Sequence, residues 1–155
     1  MQMALFMSDR IGREYMKYIK QRHKYGCGVA CLAMVTGNSY ETVRRAFTFD
    51  AAKTGLTVQH MVHYLSSLGY WIQYKSMEPV GLINQQCTPM RSIADSHICM
   101  VQNSKTSKFH FVVVDSHGCL YDPADKTRTN LHNCKIISIL GCHNRMVIGS
   151  NGVIE

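Results

Sequence analysis

The stretch QRHKYGCGVACLAMVTG, Gln21 to Gly37, sets a cysteine between two glycines at the head of an apolar run. A cysteine so placed falls in the first turn of a helix, where unpaired backbone N–H groups and the positive end of the macrodipole favour an anionic sulfur. Gly26 and Gly28 let the chain turn sharply and leave that sulfur uncovered. Gln21, a short loop upstream, can bring its amide NH2 beside the Cys27 backbone N–H, giving two donors for a developing oxyanion. Cysteines at helix starts also serve as small buried apolar residues, so the nucleophile reading depends on a base elsewhere.

A second run, FHFVVVDSHGCLYDPA, Phe109 to Ala124, supplies one. Residues 109–115 are β-branched and aromatic, Ser116-His117-Gly118 is turn material, and Cys119 to Asp122 is a second short strand stopped by Pro123. A three-residue turn through Asp115 to His117 pairs Val114 with Gly118 and sets His110 directly opposite Asp122. A two-residue turn leaves the pair diagonal. Asp115 lies five positions along the strand from His110, on the other face and roughly 16 Å away, so Asp122 is the better orienter. Taken alone, the hairpin also reads as an ordinary strand histidine followed by an Asp-Pro turn. The order Gln21, Cys27, His110, Asp122 favours a catalytic set.

These two segments resemble the signatures of cysteine peptidase family 39, the papain-like bacteriocin-processing peptidases and their stand-alone relatives. That family opens with a glutamine, a short loop and a Cys-Gly-x-Ala-Cys-Leu helix, and closes with His-Phe/Tyr-Val-Val-Val and a downstream Asp-Pro. The resemblance spans about Gln21 to Ala124. It implies Cys27 as nucleophile, His110 as general base, Asp122 as its orienter and Gln21 as oxyanion donor. Members clip leader peptides after a Gly-Gly pair, many as the N-terminal domain of an export ATPase. This chain lacks the Gly-x4-Gly-Lys-Ser/Thr loop and membrane spans of that context, and is expected to be a stand-alone form.

A length of 155 residues fits a single papain-like domain over 1–155, large enough for a core without disulfide staples. The start, MQMALFMSDR, lacks the charged-then-apolar order of a secretory signal, and no apolar run nears the ~18 residues of a membrane helix. Seven cysteines, an odd number, then read as reduced thiols in a cytoplasm. Of the net charge of +7, residues 1–24 carry six Lys or Arg against two acids. That basic front reads as a solvated face that could attract an acidic protein; without stacking aromatics, a nucleic-acid partner is not expected.

Residues 1–20 read as a basic lead-in, with a helix around Gly12 to Gln21. The Cys27 helix runs to Val35 and stops at Gly37-Asn38; Ser39 caps a helix carrying Tyr40, Val43 and Phe47. After a loop through Lys53-Thr54-Gly55, Thr57 caps a helix with the stripe Val58, Met61, Val62, Leu65 and Leu68, closed by Gly69. His60 and His63 flank that stripe and read as solvent-facing. Strands are expected at Tyr70–Lys75, His97–Gln102, the hairpin, Lys135–Leu140 and Arg145–Ile148, with an irregular stretch from Met77 to Pro89. Helices first and strands second predict an α+β, papain-like fold: N-terminal helices on a C-terminal antiparallel sheet.

Cys119, Cys134, Cys142 and His143, with His117 nearby, include no C-x2-C or C-x2–4-C pair, so no metal or cofactor is expected. Cys31, one turn beyond Cys27, reads as core. The residues point to hydrolysis of a peptide bond in a peptide or protein substrate, and the resemblance implies a cut after Gly at a Gly-Gly site. The same machinery could serve a deamidase, a transferase or a Gly-Gly deconjugase, and the rival from another class is a catalytically silent peptide-binding module.

Overall fold

The computed structural model describes residues 16–77 and 95–144. Four helices come first: α1 (Cys27–Thr36), α2 (Tyr40–Arg45), α3 (Ala51–Thr54) and α4 (Val58–Ser67). Five strands follow: β1 (Tyr70–Ser76), β2 (Ser96–Asn103), β3 (Phe109–Asp115), β4 (Leu120–Tyr121) and β5 (Cys134–Asn144). They form one antiparallel sheet in the order β1-β5-β2-β3-β4. This is the α+β, papain-like arrangement expected from the sequence.

Helix α1 is the centre of the molecule. Every residue from Gly28 to Met34 is buried, so it packs on all sides rather than along one stripe. It lies against β3, with α2, α3 and α4 around it. Gly37 ends it in the left-handed conformation, φ +82°, which glycine adopts without a Cβ clash. Ser39 caps α2 by accepting from Thr42 N–H, and Thr57 caps α4 by accepting from His60 N–H. The His60 ring returns the favour at the Thr57 N–H and packs on Phe49, so it stands where a capping box usually has Glu or Gln. It is part-buried, not fully solvent-facing as the stripe suggested.

Three local expectations change. Phe47 lies beyond the end of α2, and the loop before Gly55 contains the short helix α3, capped by Asp50. In α4, Tyr64 is buried where the apolar stripe did not count it, while Leu68 is exposed. No helix is formed by residues 16–21, and the expected lead-in helix otherwise falls outside the described residues. Instead Gln21 N–H donates to Pro123 O at 3.0 Å and the Tyr18 hydroxyl to Asp122 O at 2.7 Å. Tertiary bonds to a distant loop override a weak local propensity. Residues Met16 and Ile19 still reach the core, but from an irregular segment. The expected Arg145–Ile148 strand and nearly all of the 77–89 stretch lie outside the described residues.

Candidate active site

The Cys27 side of the groove is built around a glycine whose Cβ would have no room. Gly26 is the N-cap of α1 and brings no capping side chain. A Cβ there would collide with the Tyr40 hydroxyl, which bonds His23 Nδ1 at 3.0 Å. Tyr40 thus presses the turn 23–26 against the helix start while remaining 2% exposed itself. Cys27 follows as the first residue of α1, with its backbone N–H ahead of the intrahelical ladder. A Cβ on Gly28 would meet Leu56 Cβ at 3.2 Å, so α1 also approaches the 55–57 segment closely.

The imidazole expected to act as base comes from the start of β3. His110 Nε2 meets Asp122 Oδ1 at 2.6 Å, and the Cys27 side chain is the ring's other polar neighbour. Burial disfavours the charged imidazole, but the Asp122 carboxylate and the Cys27 sulfur outweigh it and push the His110 pKa up to about 9. Burial likewise works against Asp122, yet the bonds from His110, Ala124 N–H and Arg128 hold its carboxyl below the usual range.

The register of the hairpin differs from either turn considered from the sequence. Val114 pairs with Leu120 and Val113 with Tyr121, and Asp115 N–H donates to Cys119 O at 3.0 Å, so the turn is the three residues Ser116 to Gly118, one position further along than expected. The partner of each β3 residue thereby shifts by two positions, an even number, so His110 and Asp122 keep the same face and meet diagonally. Asp115 holds the turn in that place. It is 6% exposed, its Oδ1 accepts from the N–H groups of His117 and Cys119 at 2.9 Å each, and its Oδ2 accepts from the Tyr121 hydroxyl at 2.9 Å.

Gln21 reaches the same groove, tied in place through Pro123, but its amide nitrogen donates to His23 O at 3.0 Å and Lys24 O at 3.2 Å. Its amide oxygen is buried with no hydrogen-bond partner among the described residues. In this arrangement both amide protons face the 23–24 loop rather than the space over Cys27. The groove itself has a volume of about 1180 Å³ and is lined by Gln21, Cys27, His110 and Asp122 together with Tyr25 and Phe109.

Two partners of the site escaped the sequence reading. Arg128 donates to Asp122 Oδ2 at 3.0 Å, and Tyr18 holds the Asp122 carbonyl. In the sequence, Arg128 is one basic residue in a polar loop; the only available signal is the pair of successive turns, Asp125 N–H to Asp122 O and Arg128 N–H to Asp125 O, that DPADKTR favours. The other thiols contrast with Cys27 in setting. Burial pushes Cys31 well up and takes Cys99 and Cys142 up to about 12. Among the described residues, no group of three His, Cys, Asp or Glu could hold a metal ion, and no helix is long and apolar enough to cross a membrane.

Known proteins give this geometry a context. No curated protein sequence matches the chain. Among solved structures, it is similar to the peptidase domain of Streptococcus ComA, a bi-functional ABC transporter involved in a quorum-sensing pathway. The TM-score is 0.60 at 17% identity, covering 83% of this chain and 98% of that one. The Streptococcus mutans ComA peptidase domain in complex with a small-molecule inhibitor gives a TM-score of 0.54 at 16% identity, covering 81% and 98%. These likenesses concern the fold. The family model of the peptidase C39 family matches residues 15–133, most of the chain, and the chain belongs to that family.

Proposed function

We propose that this chain is a cysteine peptidase that cleaves after Gly, in a leader peptide or other protein with a Gly-Gly site. The observation that carries the reading is the imidazole of His110, held by Asp122 at 2.6 Å with the Cys27 side chain beside the ring, at the wall of an open groove. The raised proton affinity of His110 favours the imidazolium, the partner a thiolate requires. One domain performs the whole reaction in this reading. The free state of all six cysteines among the described residues suits a reducing compartment such as the cytoplasm.

The Cys27 sulfur attacks the scissile carbonyl carbon, and the carbonyl oxygen takes the negative charge. The Cys27 N–H donates to that oxygen. Gln21 adds a second donor by exchanging its longer bond to Lys24 O for the oxyanion. The imidazolium gives its proton to the leaving amine, and the C–N bond breaks. His110 then takes a proton from water, the resulting hydroxide attacks the thioester, and the sulfur leaves. Asp122 fixes the tautomer throughout.

The preference for Gly rests on the family. Tyr25 and Phe109, both more than half exposed beside the groove, supply walls that would exclude large residues before the cut. A peptide library profiled with the purified chain and with Cys27→Ala tests this. Cleavage confined to Gly and dependent on Cys27 is expected. Efficient cleavage after Arg, Leu or Phe removes the Gly preference. An alkylatable Cys27 with no peptide cleaved removes the peptidase reading in favour of other acyl chemistry.

A further inference from the structure

Asp122 is 3% exposed, and a carboxylate that deep needs every acceptor site filled. Its Oδ1 is shared by His110 Nε2 at 2.6 Å and Ala124 N–H at 2.8 Å. Its Oδ2 accepts from Arg128 Nη1 at 3.0 Å. The guanidinium is fixed in turn: Nε donates to Asn130 O at 2.9 Å and Nη2 to Cys134 Sγ at 3.2 Å. Three nitrogens of one planar group therefore bind three points, on Asp122, on the loop and on the first residue of β5. A lysine, with a single ammonium, cannot span all three.

We propose that Arg128 is a positioning residue: it locks the Asp122 carboxylate in the rotation that presents Oδ1 to His110, and so sets the alkaline limit of the working range. The inference rests on the catalytic reading above, and it makes Arg128 act through Asp122 rather than on substrate. With Arg128 gone, Oδ2 is a buried acceptor with no donor. The carboxylate then turns toward another donor or takes a proton, and either change loosens its hold on His110. Direct repulsion between guanidinium and imidazolium works the other way, but the cation sits on the far oxygen and its effect is smaller. The other titratable groups around the pair are Cys27 and Cys31 from α1, Tyr18 from the lead-in, and Asp125 and Cys134. None of them bonds Oδ2.

The test uses the full chain with Arg128→Gln, Arg128→Lys and Asp122→Asn, read in two ways. The first is the NMR titration of His110, identified by the signal lost in His110→Gln, which needs no substrate. The second is kcat and KM against pH on a Gly-Gly peptide. Arg128→Gln is expected to move the His110 midpoint from about 9 down by at least one unit and to lower kcat roughly tenfold to hundredfold, with KM within about twofold. Arg128→Lys should recover part of both effects. Arg128→Gln added to Asp122→Asn should cost little more than Asp122→Asn alone. A His110 midpoint that stays or rises in Arg128→Gln, with only thermal stability reduced, overturns the proposal and leaves Arg128 a loop clip. If Arg128→Gln does not fold, Arg128→Lys decides on the same midpoint, a fall supporting and no change overturning. Wild type that cleaves no peptide while its His110 midpoint still falls on substitution would remove the peptidase reading and keep the positioning role.

Discussion

The β3–β4 hairpin carries a buried aspartate at each end, and the two face different partners. At the closed end, Asp115 accepts from His117, Cys119 and Tyr121, all within its own hairpin. At the open end, Asp122 accepts from His110 across the hairpin and from Arg128 beyond it, while its carbonyl receives Tyr18 from the lead-in. Both are buried, so burial does not distinguish them. What differs is the reach of the bonds. Local acceptors shape a turn; acceptors that join distant segments at a groove tune a neighbour's proton affinity.

The most severe substitutions lie at the open end. Cys27→Ala and His110→Ala should each cost on the order of 10⁶ in kcat, and the double variant little more, because the two act as a unit. Single-turnover kinetics on a Gly-Gly peptide would measure this. Additive losses would mean that His110 is not the partner of Cys27.

The comparison itself is tested next. Asp122→Asn should lower kcat by roughly a hundredfold to ten-thousandfold with a modest loss of stability. Asp115→Ala should do the reverse, losing about 2–4 kcal/mol in denaturant unfolding as three donors are orphaned, with kcat of the folded protein nearly unchanged. The sequence set Asp115 aside as an orienter of His110; its burial gives it a structural role in the turn. If folded Asp115→Ala is as inactive as Asp122→Asn, the division of labour is wrong.

Gln21→Ala should reduce kcat about a hundredfold if one of its two loop-bound protons turns to the oxyanion. Gln21→Glu, which replaces a donor by an acceptor, should be worse. Equal, small losses in both would leave the side chain as a brace for the 23–24 loop.

The smallest effect is in the pH dependence of stability. His110 is raised above its ordinary 6.5, so its contribution is complete below about pH 6.5 and is lost as pH rises through about 9. Asp122 is lowered, so its contribution is present above the ordinary 3.8 and is lost as pH falls through its depressed value. His110→Gln should flatten the alkaline decline in urea unfolding, whereas Asp115→Asn should leave that slope in place.

Much of the open end was legible in the sequence because its parts are marked by local chemistry. Gly-Cys-Gly before an apolar run announces a helix start, Ser39 and Thr57 announce caps, and His-Phe-Val-Val-Val announces a strand. Face parity carried the pairing of His110 with Asp122 even though the placement of the turn did not, because any even shift of register preserves the face. The lead-in was read as a helix because its bonds run to residues about a hundred positions away, which periodicity cannot register.

The sequence by itself determined the helices-then-strands succession and the α+β class, and it named the side chains expected to do chemistry. Those follow from propensity, periodicity and reactive side chains, all set within a few residues. Only the tertiary structure decided that Tyr40 makes Gly26 obligatory, that Asp115 builds the turn, that Gln21 faces the 23–24 loop and that Arg128 closes over Asp122. Each of these depends on filling a buried polar group or a volume from elsewhere in the chain, and the partner is known only once the chain has packed.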